Sequence, residues 1–101
     1  MTVKLLAMYL RPDDPDAFLS HYRDVHTPLV RAVPGLKKLV VNHVDSTLIG
    51  TSPWFLIAEL DFGDRADFET AMASQENRAV GKDLKNFAEG LVTLLTVHAA
   101  D

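Results

Sequence analysis

Phe18-Leu-Ser-His-Tyr-Arg-Asp-Val-His-Thr-Pro-Leu29 is the stretch on which the fold turns. Its apolar residues Phe18, Tyr22, Val25 and Leu29 recur at the three- and four-residue spacing of one helix face. The segment therefore reads as an amphipathic helix that must lie against an apolar layer. His26 falls inside the same stripe, one turn from Tyr22. An imidazole directed into such a layer is either a hydrogen-bonded core histidine or the chemical centre of a pocket.

Working outward, Val3 to Leu10 is almost wholly apolar and reads as a strand. Pro12-Asp-Asp-Pro15 is a turn in which Asp14 suits an N-cap, Pro15 the first helical position and Asp16 the first turn. The helix then runs to about Ala32, where Pro34-Gly35 stops it, and Pro28 should kink or loosen its last turns. Lys38 to Val44 is a second strand, Asp45 to Pro53 a loop, and Trp54 to Phe62 a third strand rich in aromatic and branched residues. Asp64 caps a second helix with Asp67 three residues on, and Phe68, Ala71 and Met72 form its stripe. Ser74 is a new N-cap, so Gln75 to Ala88 is a third helix with Val80, Leu84 and Phe87 inward. Gly90 ends it, and Leu91 to His98 is the last strand.

The order β-α-β-β-α-β, with its second helical region split, is that of the ferredoxin-like split βαβ motif. The expected class is α+β, a four-stranded antiparallel sheet with helices on one face. Such sheets usually alternate apolar and polar residues. Here Leu5, Ala7 and Tyr9 oppose Leu6, Met8 and Leu10. Phe55 and Ile57 oppose Trp54, Leu56, Ala58 and Leu60, and Val92, Leu94, Leu95 and Val97 cover both faces of the last strand. Helices can cover only one face. The remaining apolar face predicts a homodimer in which a second copy of the sheet packs face to face about a two-fold axis.

The chain of 101 residues has the size of one domain, 1–101, with 48% hydrophobic and 24% charged residues. A net charge of −4, with Lys37-Lys38 the only adjacent basic pair, argues against nucleic acid and against an anionic membrane surface as partners. No cysteine is present, which excludes disulfides, thiolate nucleophiles and cysteine-ligated metals and suits a reducing cytoplasm. The apolar N-terminal run is short and leads into Arg11-Pro-Asp-Asp14, so it reads as a strand and not a signal peptide. No apolar run approaches transmembrane length.

Several pieces resemble one family. Leu10-Arg-Pro-Asp, the segment Phe18 to Leu29, Pro34-Gly-Leu36, Val41-Asn42, Ile57-Ala-Glu-Leu60 and Asp83-Leu-Lys-Asn-Phe-Ala88 are similar to the EthD family of the dimeric α/β-barrel superfamily. The H-Y-x-x-x-H-x-P-L segment is the most specific, and Asp83 to Ala88 is a second marker. The family name refers to ethyl tert-butyl ether degradation, and members are sometimes labelled reductases or oxidoreductases. The resemblance implies the dimeric barrel, with a small aromatic, quinol or lactone-like molecule held within each subunit. Relatives in the wider superfamily include cofactor-independent anthrone-type oxygenases, polyketide cyclases and muconolactone isomerases. The alternative is a non-catalytic binding or accessory dimer in an oxidative degradation pathway.

His26 is the first candidate for chemistry, because an imidazole can act as general base without a cofactor and burial favours its neutral form. Tyr22 can hydrogen-bond the imidazole or a substrate oxygen, or can be a core aromatic. Glu59 sits mid-strand among apolar residues, as a second acid–base group or in an interface ion pair with Lys4 or Arg11. Asn42 and Asn86 match the family pieces and offer amide donors, though Asn86 also suits a helix-terminus anchor. Trp54 and Tyr9 are pocket walls or core. His21 and His26, five residues apart on an α-helix, should point about 140° apart and not share a metal. No metal, nucleotide or phosphate-loop motif is present, so no cofactor is expected.

Overall fold

The computed structural model describes residues 2–100. Met1 and Asp101, the two ends of the expected domain, lie outside the described residues. The elements follow the order read from the sequence: β1 (Val3–Leu10), α1 (Pro15–His21), a π-helical turn (Tyr22–His26), α2 (Thr27–Arg31), β2 (Lys38–His43), β3 (Trp54–Gly63), α3 (Arg65–Met72), α4 (Gln75–Phe87) and β4 (Val92–His98). The four strands form one antiparallel sheet in the order β2-β3-β1-β4. This is the ferredoxin-like α+β fold.

Local chemistry sets the helix starts. Asp14 accepts from the Ala17 amide at 3.1 Å, Asp64 from Asp67 at 2.9 Å and Ser74 from Asn77 at 3.1 Å, each satisfying an otherwise orphaned first-turn N–H. Gly63 turns the chain from β3 into α3 at φ +95°, where an added Cβ would meet Lys37 Cε at 2.6 Å. No helix among the described residues is long and apolar enough to cross a membrane.

The helices cover the sheet face formed by Leu5, Ala7 and Tyr9 of β1 and by Leu56, Ala58, Leu60 and Phe62 of β3. Phe18, Tyr22, Val30, Phe68, Ala71 and Val80 pack onto that layer. Residues paired across strands share a face. The other face therefore carries Leu6, Met8 and Leu10 with Ile57, Glu59, Val40, Asn42, Leu95 and Val97, and no helix covers it.

The third strand departs from the expected alternation. A register shift between Tyr9 and Leu10 moves the partner from Leu56 to Trp54. Trp54 consequently lies with Leu10 on the uncovered face, and not with Leu56. Phe55 packs against the core, edge-on to Phe18 at 6.1 Å, with the Arg11 guanidinium 5.3 Å from its ring centroid.

Candidate functional site

The first helical run is not one α-helix. Proline 28 has no N–H for the Asp24 carbonyl, and its ring crowds that carbonyl. The preceding turn widens, and the Thr27 amide bonds back five residues to the Tyr22 oxygen. A turn closed this way takes in one more residue than an α-turn, so residues five apart come round to the same side. His21 and His26 therefore do not diverge by 140°; both face α4.

Between them stands Asp83. His26 Nδ1 lies 2.8 Å from Asp83 Oδ2, and His21 Nε2 lies 2.9 Å from Oδ1 and 3.1 Å from Oδ2. The Phe87 ring packs on both imidazoles, at 4.6 Å from His21 and 4.9 Å from His26. Asp83 is itself buried. Burial alone would raise its carboxyl, but the hydrogen bonds and charges of His26 and His21 outweigh it and hold the group below its ordinary value. The carboxylate only accepts, so both facing imidazole nitrogens donate N–H to it.

That assignment leaves His26 Nε2 with its lone pair. Among the described residues no sealed side-chain nitrogen or oxygen lacks a hydrogen-bond partner, and Nε2 has no protein partner, so it faces open space. His26 is also a wall of a cavity of about 110 Å³ between helices and sheet, together with Tyr9, Tyr22, Leu60, Met72 and Val80. Burial pulls the imidazole below its ordinary value, and the Asp83 hydrogen bond and charge offset only part of that. The ring is thus held neutral. Burial pushes the Tyr22 phenol up to about 12 and the Tyr9 phenol above its ordinary range, so both remain protonated donors. Their rings meet edge-on at 5.5 Å.

The remaining sequence candidates lie elsewhere. Asn42 donates to Glu59 Oε2 at 3.0 Å and to the Ile57 carbonyl at 3.1 Å, on the uncovered sheet face. Within the one chain Lys4 stands opposite Asp61 and Arg11 lies over Phe55, so the expected interface ion pair of Glu59 is left to a contact between subunits. Trp54 shares that face, and Asn86 is exposed on α4 away from the cavity. His26, Tyr22 and Tyr9 are therefore brought together, whereas Glu59, Asn42, Trp54 and Asn86 are not. Among the described residues no three histidine, aspartate or glutamate side chains are arranged to hold a metal ion.

Asp83 is absent from the sequence-derived candidates, although a signal for it exists. It occupies the second place in the inward run Val80, Asp83, Leu84, Phe87, where a carboxylate needs a partner. Asn77 also lines the cavity, with its amide donating to the Met72 carbonyl at 3.2 Å.

A four-stranded split-βαβ sheet with its helices on one face is the ferredoxin-like architecture. Residues 11–90 match the EthD domain model, and the chain belongs to the EthD family. A crystal structure of an ethyl tert-butyl ether degradation (EthD) family protein from Bacillus halodurans is 37% identical, with a TM-score of 0.91 over 98% of this chain and 99% of that one. An uncharacterized 11.0 kDa protein in the thcB–thcC intergenic region of Rhodococcus erythropolis is 38% identical over 91% of this chain and 89% of its own length. SnoaB from Streptomyces nogalater, a cofactor-independent oxygenase, shares the fold with a TM-score of 0.71 at 13% identity, over 99% of this chain and 94% of its own. Other neighbours of this fold are described as dimeric ferredoxin-like proteins.

Proposed function

We propose that this chain forms a homodimer that binds a small hydrophobic molecule of aromatic, quinol or lactone type beside His26 and transforms it without a cofactor. The observation that carries the reading is the free Nε2 edge of a neutral, buried imidazole whose Nδ1 is fixed by Asp83. An enolisable or phenolic substrate would lose its proton to Nε2. Asp83 would stabilise the imidazolium, and the Tyr22 phenol would donate to the developing oxyanion. Oxygenase, cyclase and isomerase chemistry all begin with that step. His26 and Tyr22 are the catalytic residues in this reading and Asp83 a positioning residue. Glu59, Asn42, Trp54 and Asn86 do not line this cavity and take no part in the chemistry of this reading.

The cavity favours a compact ligand. At about 110 Å³ it is smaller than the engineered cavity of about 150 Å³ that takes up benzene. A molecule of more than one ring needs the walls to give, and Met72 is the adaptable side chain among them. The tightness also supports a second reading, a dimer that holds its molecule without changing it. The dimer itself is supported by the uncovered apolar sheet face and by the dimeric neighbours of the same fold.

The test is solvent-deuterium exchange at the enolisable carbon of a five-membered lactone, followed by NMR. Wild type should accelerate exchange, and His26→Ala should abolish it while fold and self-association persist. Equal exchange in both proteins refutes the catalytic reading. Saturable lactone binding without exchange in wild type selects the non-catalytic one.

A further inference from the structure

Leu48 and Ile49, at the tip of the connection between β2 and β3, are 92% and 94% exposed. That connection, residues 44–53, contains one charged residue, Asp45. Two adjacent large aliphatic side chains held almost wholly in water lose the burial that would otherwise stabilise them. A matching feature lies at the same edge of the sheet. A groove of about 350 Å³ runs between the first helical run and the edge strand β2. Leu19, Tyr22, Val41 and Leu56 form its floor, and Arg23 and His43 stand on its rim.

We propose that residues 44–53 are an exchanged arm, with Leu48 and Ile49 of each subunit seated in the partner's groove. The proposal rests on the homodimer reading and specifies its contacts. The groove is apolar where the arm is apolar, and it has room for two aliphatic side chains. The Arg23 guanidinium at the groove's rim is already paired with Asp24 at 2.8 Å, so the fit is one of apolar surface and not of charge. The arm leaves the sheet immediately after His43, at the rim of its own groove, and its tip is exposed and does not fold back. Arm and groove lie at one edge of each copy, so a two-fold axis lets every subunit give an arm and receive one.

The consequence reaches the site. Tyr22 lines both the groove and the His26 cavity, and so forms the wall between them. The seated arm backs that wall from outside. The ligand site is then complete only in the dimer, and the partner's aliphatic side chains set how far Tyr22 can yield to a larger ligand.

The chain has no cysteine, so an engineered pair reports without background. Leu48→Cys combined with Thr27→Cys, on the helical side of the groove, should oxidise to a covalent dimer whose peptide map joins position 48 to position 27 of the other subunit. A disulfide within one chain means that the arm covers its own groove, and overturns the proposal. No disulfide in a protein that sediments as a dimer overturns the arm and leaves the homodimer standing. Sedimentation as a monomer overturns both. As a second measurement, Leu48→Ser with Ile49→Ser should raise the dimer dissociation constant by about a hundredfold or more, from the loss of buried aliphatic surface. An unchanged constant refutes the exchange.

Discussion

His26 and Asp83 lie 57 residues apart in sequence, and Nδ1 of the one stands 2.8 Å from Oδ2 of the other in a buried seam between the first helical run and α4. The pair fixes which nitrogen of His26 carries the proton, and so leaves the other free toward the cavity. His21 grips the same carboxylate from the more exposed side.

Removing the carboxylate should separate fold from tuning. Asp83→Ala leaves two imidazole N–H groups without their acceptor and should cost about 2–3 kcal/mol by chemical denaturation. Asp83→Asn keeps an acceptor for His26 and should stay within about 1 kcal/mol of wild type. In that variant the charge that partly offsets burial is gone, so the NMR titration midpoint of His26 should move further down. An unchanged midpoint would mean that Asp83 does not set the basicity of the imidazole.

Stability should fall on acidification in two stages. The native His26 value is depressed below its ordinary 6.5, so in the window between the two the unfolded chain binds the extra proton. More protons on the unfolded state means that stability rises with pH there and is lost as pH falls below about 6.5. Asp83, also depressed, adds a further loss below its ordinary 3.8. Urea midpoints at about pH 7 and about pH 5 should differ for wild type, and the difference should shrink in His26→Gln. A wild-type midpoint that holds constant across this range contradicts the neutral buried imidazole.

Local signals made most of the fold legible. Asp14, Asp64 and Ser74 marked the helix starts because capping depends on side chains a few residues apart. The two-faced apolar strands marked the uncovered sheet surface. The failures came where one residue changes a register. Pro28 signalled a disturbed helix, but only the resulting π-turn reveals that His21 and His26 converge. The irregularity at Tyr9 and Leu10 exchanges the faces of Trp54 and Phe55. The inward place of Asp83 on α4 was a signal in the sequence, but its partners, distant in sequence, became visible only when α4 was seated against the first helical run. Glu59 was visible as a carboxylate among apolar residues, yet the face it shares with Asn42 depends on strand pairing.

Gly81 lies inside α4 and at the cavity wall, and a Cβ added there meets nothing within 4 Å. Gly81→Ala should therefore stabilise the protein by about 0.5–1 kcal/mol through helix propensity and reduced freedom of the unfolded chain. The melting temperature should rise by a few degrees. Gly81→Met should keep much of that gain while filling the cavity, so its melting temperature should rise as lactone binding weakens. Undiminished binding in Gly81→Met would place the ligand elsewhere.

Glu59 shares the uncovered face with Leu6, Met8 and Ile57, and its one hydrogen bond among the described residues comes from Asn42 at 3.0 Å. If that face is the seam between two sheets, pairing strips water from a carboxylate that one amide only partly replaces, which opposes association. Glu59→Gln keeps an oxygen acceptor for Asn42 and removes the charge. It should tighten self-association by about tenfold in sedimentation equilibrium, the equivalent of roughly 1.4 kcal/mol of relieved desolvation. A weaker dimer would mean that the carboxylate finds a cation across the seam. An unchanged constant would mean that this face is not where the copies meet, and the homodimer would need another surface.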